Sequence, residues 1–90
     1  MNTYQLQPFQ PTGALQEVVF YEKNEDGSEI SGTTLEEMLS VSIARLQDLN
    51  SRFGCRENSV AITKMQEALM WLEERTKDRV KRGVEGQHVA

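Results

Sequence analysis

An α+β fold is expected for this chain: a short N-terminal strand or β-hairpin region followed by a two-helix antiparallel hairpin. Three observations carry that expectation. Residues 16–22, Gln-Glu-Val-Val-Phe-Tyr-Glu, are β-branched and aromatic at their centre, as in a strand. Asn24-Glu25-Asp26-Gly27 has turn chemistry and leads toward a short returning strand over Ser28–Gly32. From residue 34 onward, apolar residues recur at helical spacing in two long runs.

Residues 1–15 are polar, carry Pro8, Pro11 and Gly13, and read as an irregular N-terminal arm packed through Tyr4, Leu6 and Phe9. The strand region covers 16–32. A two-stranded hairpin is marginal alone, so its apolar face needs a cover. Thr34-Leu35-Glu36-Glu37 matches a capping box and opens helix one, 34–50, whose inward face is Leu35, Met38, Leu39, Ile43, Leu46 and Leu49. Ser51–Glu57, with Gly54, forms the connection. Asn58 or Ser59 caps helix two, 58–82, which stops at Gly83 and leaves a tail over 83–90.

Ninety residues make one small domain, near the lower limit for an adequate core. No apolar run approaches the ~20 residues of a membrane span, and the N-terminus lacks a signal-peptide pattern, so a soluble cytosolic protein is expected. One cysteine, Cys55, excludes an intrachain disulfide. Beside Arg56 it has a route to reactivity, but a small buried residue near a helix start is the simpler reading. With His88 as the only histidine, the usual zinc clusters are excluded.

The net charge of −4 conceals an asymmetry. Residues 17–48 hold eight acids against Lys23 and Arg45, whereas 75–82 hold Arg75, Lys77, Arg79, Lys81 and Arg82 against Asp78. Such a chain repels a long polyanion, so no long nucleic acid and no membrane surface is expected as partner. A small anion that meets only the basic end escapes that repulsion.

Helix two carries two stripes. Ile62, Met65, Leu69, Leu72, Thr76 and Val80 form the apolar one, expected against helix one. Lys64, Ala68, Trp71, Arg75, Arg79 and Arg82 form the other, a quarter-turn away. Planar guanidinium groups suit phosphate, and a neighbouring indole suits a nucleobase. Against this stands a solvated helix end, where cations complement the helix dipole and pair with Glu74, Asp78 or Glu85. Trp71 and Met70 face water unless another copy covers them, which points to a homo-oligomer. Trp71 thus packs in that interface or stacks on a base. Asn58 is a plain N-cap, a ligand contact, or both. Arg75 and Asn58 lie at opposite ends of helix two, so a pocket using both needs two copies packed antiparallel.

The segment from Cys55-Arg56-Glu57-Asn58 through Thr63-Lys64 and Ala68-Leu69-Met70-Trp71-Leu72 to Arg82-Gly83-Val84-Glu85-Gly86 resembles the helical-hairpin domain of the phage Thoeris anti-defence sponge family. The anti-CBASS cyclic-nucleotide sponges are a sibling group with the same hairpin. The close similarity covers 55–86 and extends more loosely back through helix one and the strand. It implies a non-enzymatic trap without cofactor or metal, acting in the cytoplasm of the infected bacterial host. Such a trap sequesters cyclic ADP-ribose isomers and, in several members assembled as hexamers, cyclic di- or trinucleotides. By position, Asn58, Arg75 and Arg79 match the ligand-contacting residues of the Thoeris branch. Arg82, Trp71, Arg56, Lys64 and Thr63 complete the candidate ligand-binding set; Thr63 and Lys64 are candidates for a second nucleotide site, and for Lys64 the alternative is a solvated face. Where many relatives carry a Phe ahead of the Cys-Arg-Glu-Asn segment, this chain has Leu49, and its stack is either lost or taken over by Phe53.

Three readings follow, each with its own residues. The first is a sponge, dimeric or hexameric, for Thoeris signals or for CBASS cyclic oligonucleotides. The second is a helical protein–protein adaptor using the exposed apolar face. The third is a hydrolase, for which only Glu57, Glu67 and Glu74 offer ligands for Mg²⁺.

Overall fold

Four short strands precede two helices in the computed structural model, which describes residues 2–83: β1 (Thr3–Leu6), β2 (Gln16–Val19), β3 (Glu22–Lys23), β4 (Glu29–Ile30), α1 (Leu35–Arg52) and α2 (Arg56–Lys81). The α+β order expected from the sequence is therefore present. Contacts divide the chain into two compact units, one ending at Thr34 and the other starting at Leu35.

In the first unit the N-terminal segment is not an irregular arm. Thr3–Leu6 pairs antiparallel with Gln16–Val19, in the register Thr3↔Val19 to Leu6↔Gln16. The Gln5 amide donates to Glu17 across the pair at 3.1 Å, and Tyr4 meets Phe20 edge-on with ring centroids 5.6 Å apart. Cross-strand contacts of this kind are what stabilise a narrow ribbon. Of the side chains expected to pack this segment, Tyr4 alone makes an aromatic contact, and Phe9 is 98% exposed. Its polar composition hid the strand, because pairing partners lie far apart in sequence.

The expected continuous strand over 16–22 breaks in two, for a hydrogen-bonding reason. After Val19 the backbone exchanges partners: the Phe20 N–H donates to the Asn2 carbonyl, while the Tyr21 N–H donates to the Thr33 carbonyl. Glu22–Lys23 then pairs with Glu29–Ile30. The turn between them is the one the sequence announces. The Asn24 N–H donates to the Ser28 carbonyl, Gly27 takes φ +90°, and the Asp26 carboxylate accepts from both the Ser28 N–H and its hydroxyl. Beyond β4, Gly32 passes so close to the earlier strand that a Cβ there would lie 2.5 Å from backbone atoms of Val19 and Phe20. Only glycine permits the approach that lets the Thr33 N–H reach the Val19 carbonyl.

The second unit is a helical hairpin. Two packed helices joined by only residues 53–55 have no choice but to run antiparallel. Helix α1 outlasts its expected end by one turn or less, and α2 begins earlier than expected. Its N-cap is Cys55, not Asn58 or Ser59, and the Cys55 side chain makes no capping bond. Asn50 at the end of α1 substitutes: its carboxamide oxygen accepts from the Cys55 N–H at 3.1 Å, and its nitrogen donates to the Ser59 hydroxyl at 3.3 Å. At the other end, Arg82 is the C-cap and Gly83 takes the left-handed φ of +73° that stops the helix.

The core of this unit is thin. Among the described residues Ile43 is the only buried apolar side chain, at 8% exposure. Met38, Leu39, Leu46 and Leu49 on α1, and Ile62, Met65, Leu69, Leu72 and Thr76 on α2, are half-buried. Val80 and Leu35, both expected inward, are instead exposed at the helix ends. Cys55, expected to be buried, is also exposed. No helix among the described residues is long and apolar enough to cross a membrane.

Candidate functional site

Helix α2 carries every residue of the candidate set except Arg82, which is its C-cap. No proline or glycine interrupts Arg56–Lys81, so the helix spaces them at fixed intervals. Along its axis Asn58 and Arg75 stand roughly 26 Å apart at 1.5 Å per residue, so one protomer does not bring them together. Arg75 and Arg79 are one turn apart.

The arginines occupy different environments. Arg79 is 9% exposed, the only buried charged side chain among the described residues. Its burial separates it from the exposed Arg75 and Arg82, with which the sequence places it on one stripe, and excludes a solvated helix end for Arg79. Arg79 follows Arg75 by four residues, but it also follows Thr76 by three. The row Met65, Leu69, Leu72, Thr76, Arg79 therefore has an unbroken four-and-three spacing, and Arg79 belongs to both stripes. Thr76 turns its own polarity inward by donating its hydroxyl to the Leu72 carbonyl at 3.1 Å. A guanidinium held in that position has given up much of its rotamer freedom before any ligand arrives.

Arg75, in contrast, is exposed and makes no ion pair or hydrogen bond with another described residue. One turn before it lies Trp71, 68% exposed. Arg82 is engaged: its Nε stands 2.9 Å from the Asp78 carboxylate. Lys64 pairs loosely with Glu67 at 3.9 Å. These are surface pairs of small net value, which a phosphate can displace. Thr63 donates its hydroxyl to the Ser59 carbonyl one turn back, a bond it must release to donate elsewhere. Arg56 is exposed at the first position of α2, and Asn58 is half-buried in the first turn.

Two roles that the sequence does not announce emerge here, those of Asn50 and Gly54. Asn50 ties α1 to the first turn of α2, two bonds that no local pattern marks. Gly54 lies over it: a Cβ there would sit 3.1 Å from the Asn50 carbonyl oxygen. Phe53, offered as a replacement for a missing stacking residue, is 76% exposed in the connection, while Leu49 is half-buried. Among the described residues no three His, Cys, Asp or Glu side chains gather as a metal site would require, Glu57, Glu67 and Glu74 included. His88 and Glu85 lie outside the described residues.

The concentrated chemistry of the helical hairpin is a row of cations, an exposed indole and a half-buried carboxamide. Residues 14–77 match the family model described as Acb2/Tad1, hairpin domain, and the chain belongs to that family. It is 54% identical over 59 residues to Thoeris anti-defense 1 of Bacillus phage SBSphiJ7, an alignment covering 64% of this chain and 42% of that protein. The chain is thus a Thoeris anti-defence family member that spans less than half the length of this relative. The family match includes Arg56, Asn58, Thr63, Lys64, Trp71 and Arg75, and ends before Arg79 and Arg82.

Proposed function

We propose that this protein is a non-enzymatic phage anti-defence sponge, which binds cyclic nucleotide immune signals and withholds them from their effector inside the infected host cell. Its first ligands are cyclic ADP-ribose isomers, with cyclic di- and trinucleotides as further candidates. The observation that carries the reading is the arginine pair: Arg75 open to incoming anions, Arg79 held in place one turn away. Each guanidinium takes a phosphate in bidentate fashion and stays charged at every physiological pH. Asn58 reads a base edge or ribose, and Trp71 offers a stacking face or an interface contact.

The roughly 26 Å between Asn58 and Arg75 along α2 calls for a second copy if both are to line one pocket. With two helices antiparallel, the Asn58 end of one meets the Arg75–Arg79 end of the other. The thin core and exposed Met70, Trp71 and Val80 support such a homo-oligomer, dimer or hexamer. Sequestration demands tight binding: nanomolar affinity corresponds to about −12 kcal/mol.

The test is release. The protein is incubated with a panel of cyclic ADP-ribose isomers and cyclic di- and trinucleotides, washed, denatured, and the supernatant assayed. Intact ligand is expected in an amount matching the sites. Ligand recovered as cleavage product identifies a hydrolase. No uptake of any panel member identifies an adaptor and ends the sponge reading.

A further inference from the structure

Nothing in the family motif or in the arginine row explains how the Asn58 end of α2 is aimed. The structure supplies a means. Cys55 sits at the N-cap in extended conformation, φ −153° and ψ 160°, and gives the helix no side-chain cap. A helix start without a cap frays, since its first N–H groups lack intrahelical partners. Here the restraint comes from the neighbouring helix. Asn50 accepts from the Cys55 N–H with its oxygen and donates to the Ser59 hydroxyl with its nitrogen. One carboxamide thereby grips both sides of Asn58, three residues after Cys55 and one before Ser59. Gly54 leaves room for it: an added Cβ would press to 3.1 Å on the Asn50 carbonyl oxygen and reach 3.6 Å from its Oδ1.

We propose that Asn50 is a positioning residue for the ligand-facing Asn58, setting the rotation of the first turn of α2 against α1. It touches no ligand itself. This inference rests on the sponge reading above, because only a bound ligand makes the aim of Asn58 matter. The need is geometric: a hydrogen bond to a base edge fails once donor and acceptor drift beyond about 3.2 Å or the angle drops toward 120°. A helix start free to fray spends part of its time outside those limits.

The test compares Asn50→Leu, similar in size but unable to donate or accept, with Leu46→Ala, which thins the same helix interface without touching the Cys55 contact. Two readouts are taken. Without ligand, amide exchange at residues 56–59 is expected to rise about tenfold in N50L while Leu69 and Leu72 in mid-helix stay slow. Asn50→Asp, which still accepts from the Cys55 N–H and from the Ser59 hydroxyl, is expected to restore slow exchange. With ligand, using the panel member that the unaltered protein binds tightest, N50L is expected to bind about tenfold more weakly, the scale of one or two lost hydrogen bonds. L46A is expected to lower the melting temperature with unchanged affinity. Ser59→Ala removes only the second contact and shows the same changes at smaller amplitude, which keeps the test in hand if N50L does not fold. Unaltered affinity in N50L, or equal weakening by L46A, overturns the positioning role while leaving the sponge reading intact. An unaltered protein that takes up no panel member overturns both.

Discussion

The two units of this protein are held together by different means. The strand unit, up to Thr34, relies on backbone geometry: partner exchange at Phe20–Tyr21, a side-chain-locked turn at Asp26–Ser28, and a glycine pressed against Val19 and Phe20. The helical unit relies on side-chain burial along two stripes, with Ile43 at its centre. The first tolerates little change in backbone shape but much in side-chain size. The second has the opposite tolerance, and it carries the residues proposed above to bind ligand. A conformational constraint and the proposed recognition surface are thereby kept on separate pieces of a short chain.

The largest effect expected from this contrast is functional. Arg75→Ala with Arg79→Ala should abolish ligand capture in a release or calorimetric assay, a loss of about a thousandfold or more, as two charge-assisted phosphate contacts disappear. The single variants sharpen the point. Arg75→Ala should leave the melting temperature near its original value, while Arg79→Ala should lower it, because only Arg79 is buried. Equal stability of the two would break the distinction between the open and the held arginine.

Next in size is Ile43→Ala, expected to cost about 2–4 kcal/mol through lost burial and an unfilled cavity, read by denaturant unfolding of the helical signal. Gly32→Ala should follow, at about 1–3 kcal/mol, since the colliding atoms are backbone and cannot rotate away. Its signature is local: amide exchange accelerates at Tyr21 and Thr33, whose N–H groups depend on that approach. Wild-type protection at both amides in the variant would refute the account of Gly32.

The smallest effect concerns pH. Hydrogen bonds from the Ser28 hydroxyl and then the Ser28 N–H hold the Asp26 carboxyl below its usual 3.8. A depressed folded value means that the turn gains stability above the unfolded pKa and loses it as pH falls through the folded one. Protection of the Ser28 amide should accordingly fade in the acid range below pH 4, and Ser28→Ala should remove most of that pH dependence.

Much of the helical unit was legible in the sequence. The Thr34 boundary, the inward face of α1 apart from Leu35, and the stop at Gly83 all follow from spacing and local backbone preference. The turn at Asn24–Ser28 was legible for the same reason. The β1–β2 pairing was not, because Thr3–Leu6 is polar and its partner lies beyond a proline-containing loop. The N-cap of α2 lies three residues before Asn58 and four before Ser59, the two caps expected: Asn58 has the side chain of a cap, but the carboxamide that serves the helix start belongs to Asn50 on the other helix. In the candidate set, the identities of the arginines were visible and the seclusion of Arg79 was not. A residue four after one row and three after another is assigned by what packs beside it.

By itself, then, the sequence determined the helices, the middle of their inward faces and the turn at Gly27, since each depends on neighbours within a few residues, and it carried the motifs of the family to which the chain belongs. Tertiary structure alone decided which strand pairs with which, which arginine is enclosed, and which side chain restrains the start of α2. Those outcomes depend on meetings between distant segments, and the free energy of such a meeting is a property of the assembled surface and not of any one stretch of chain.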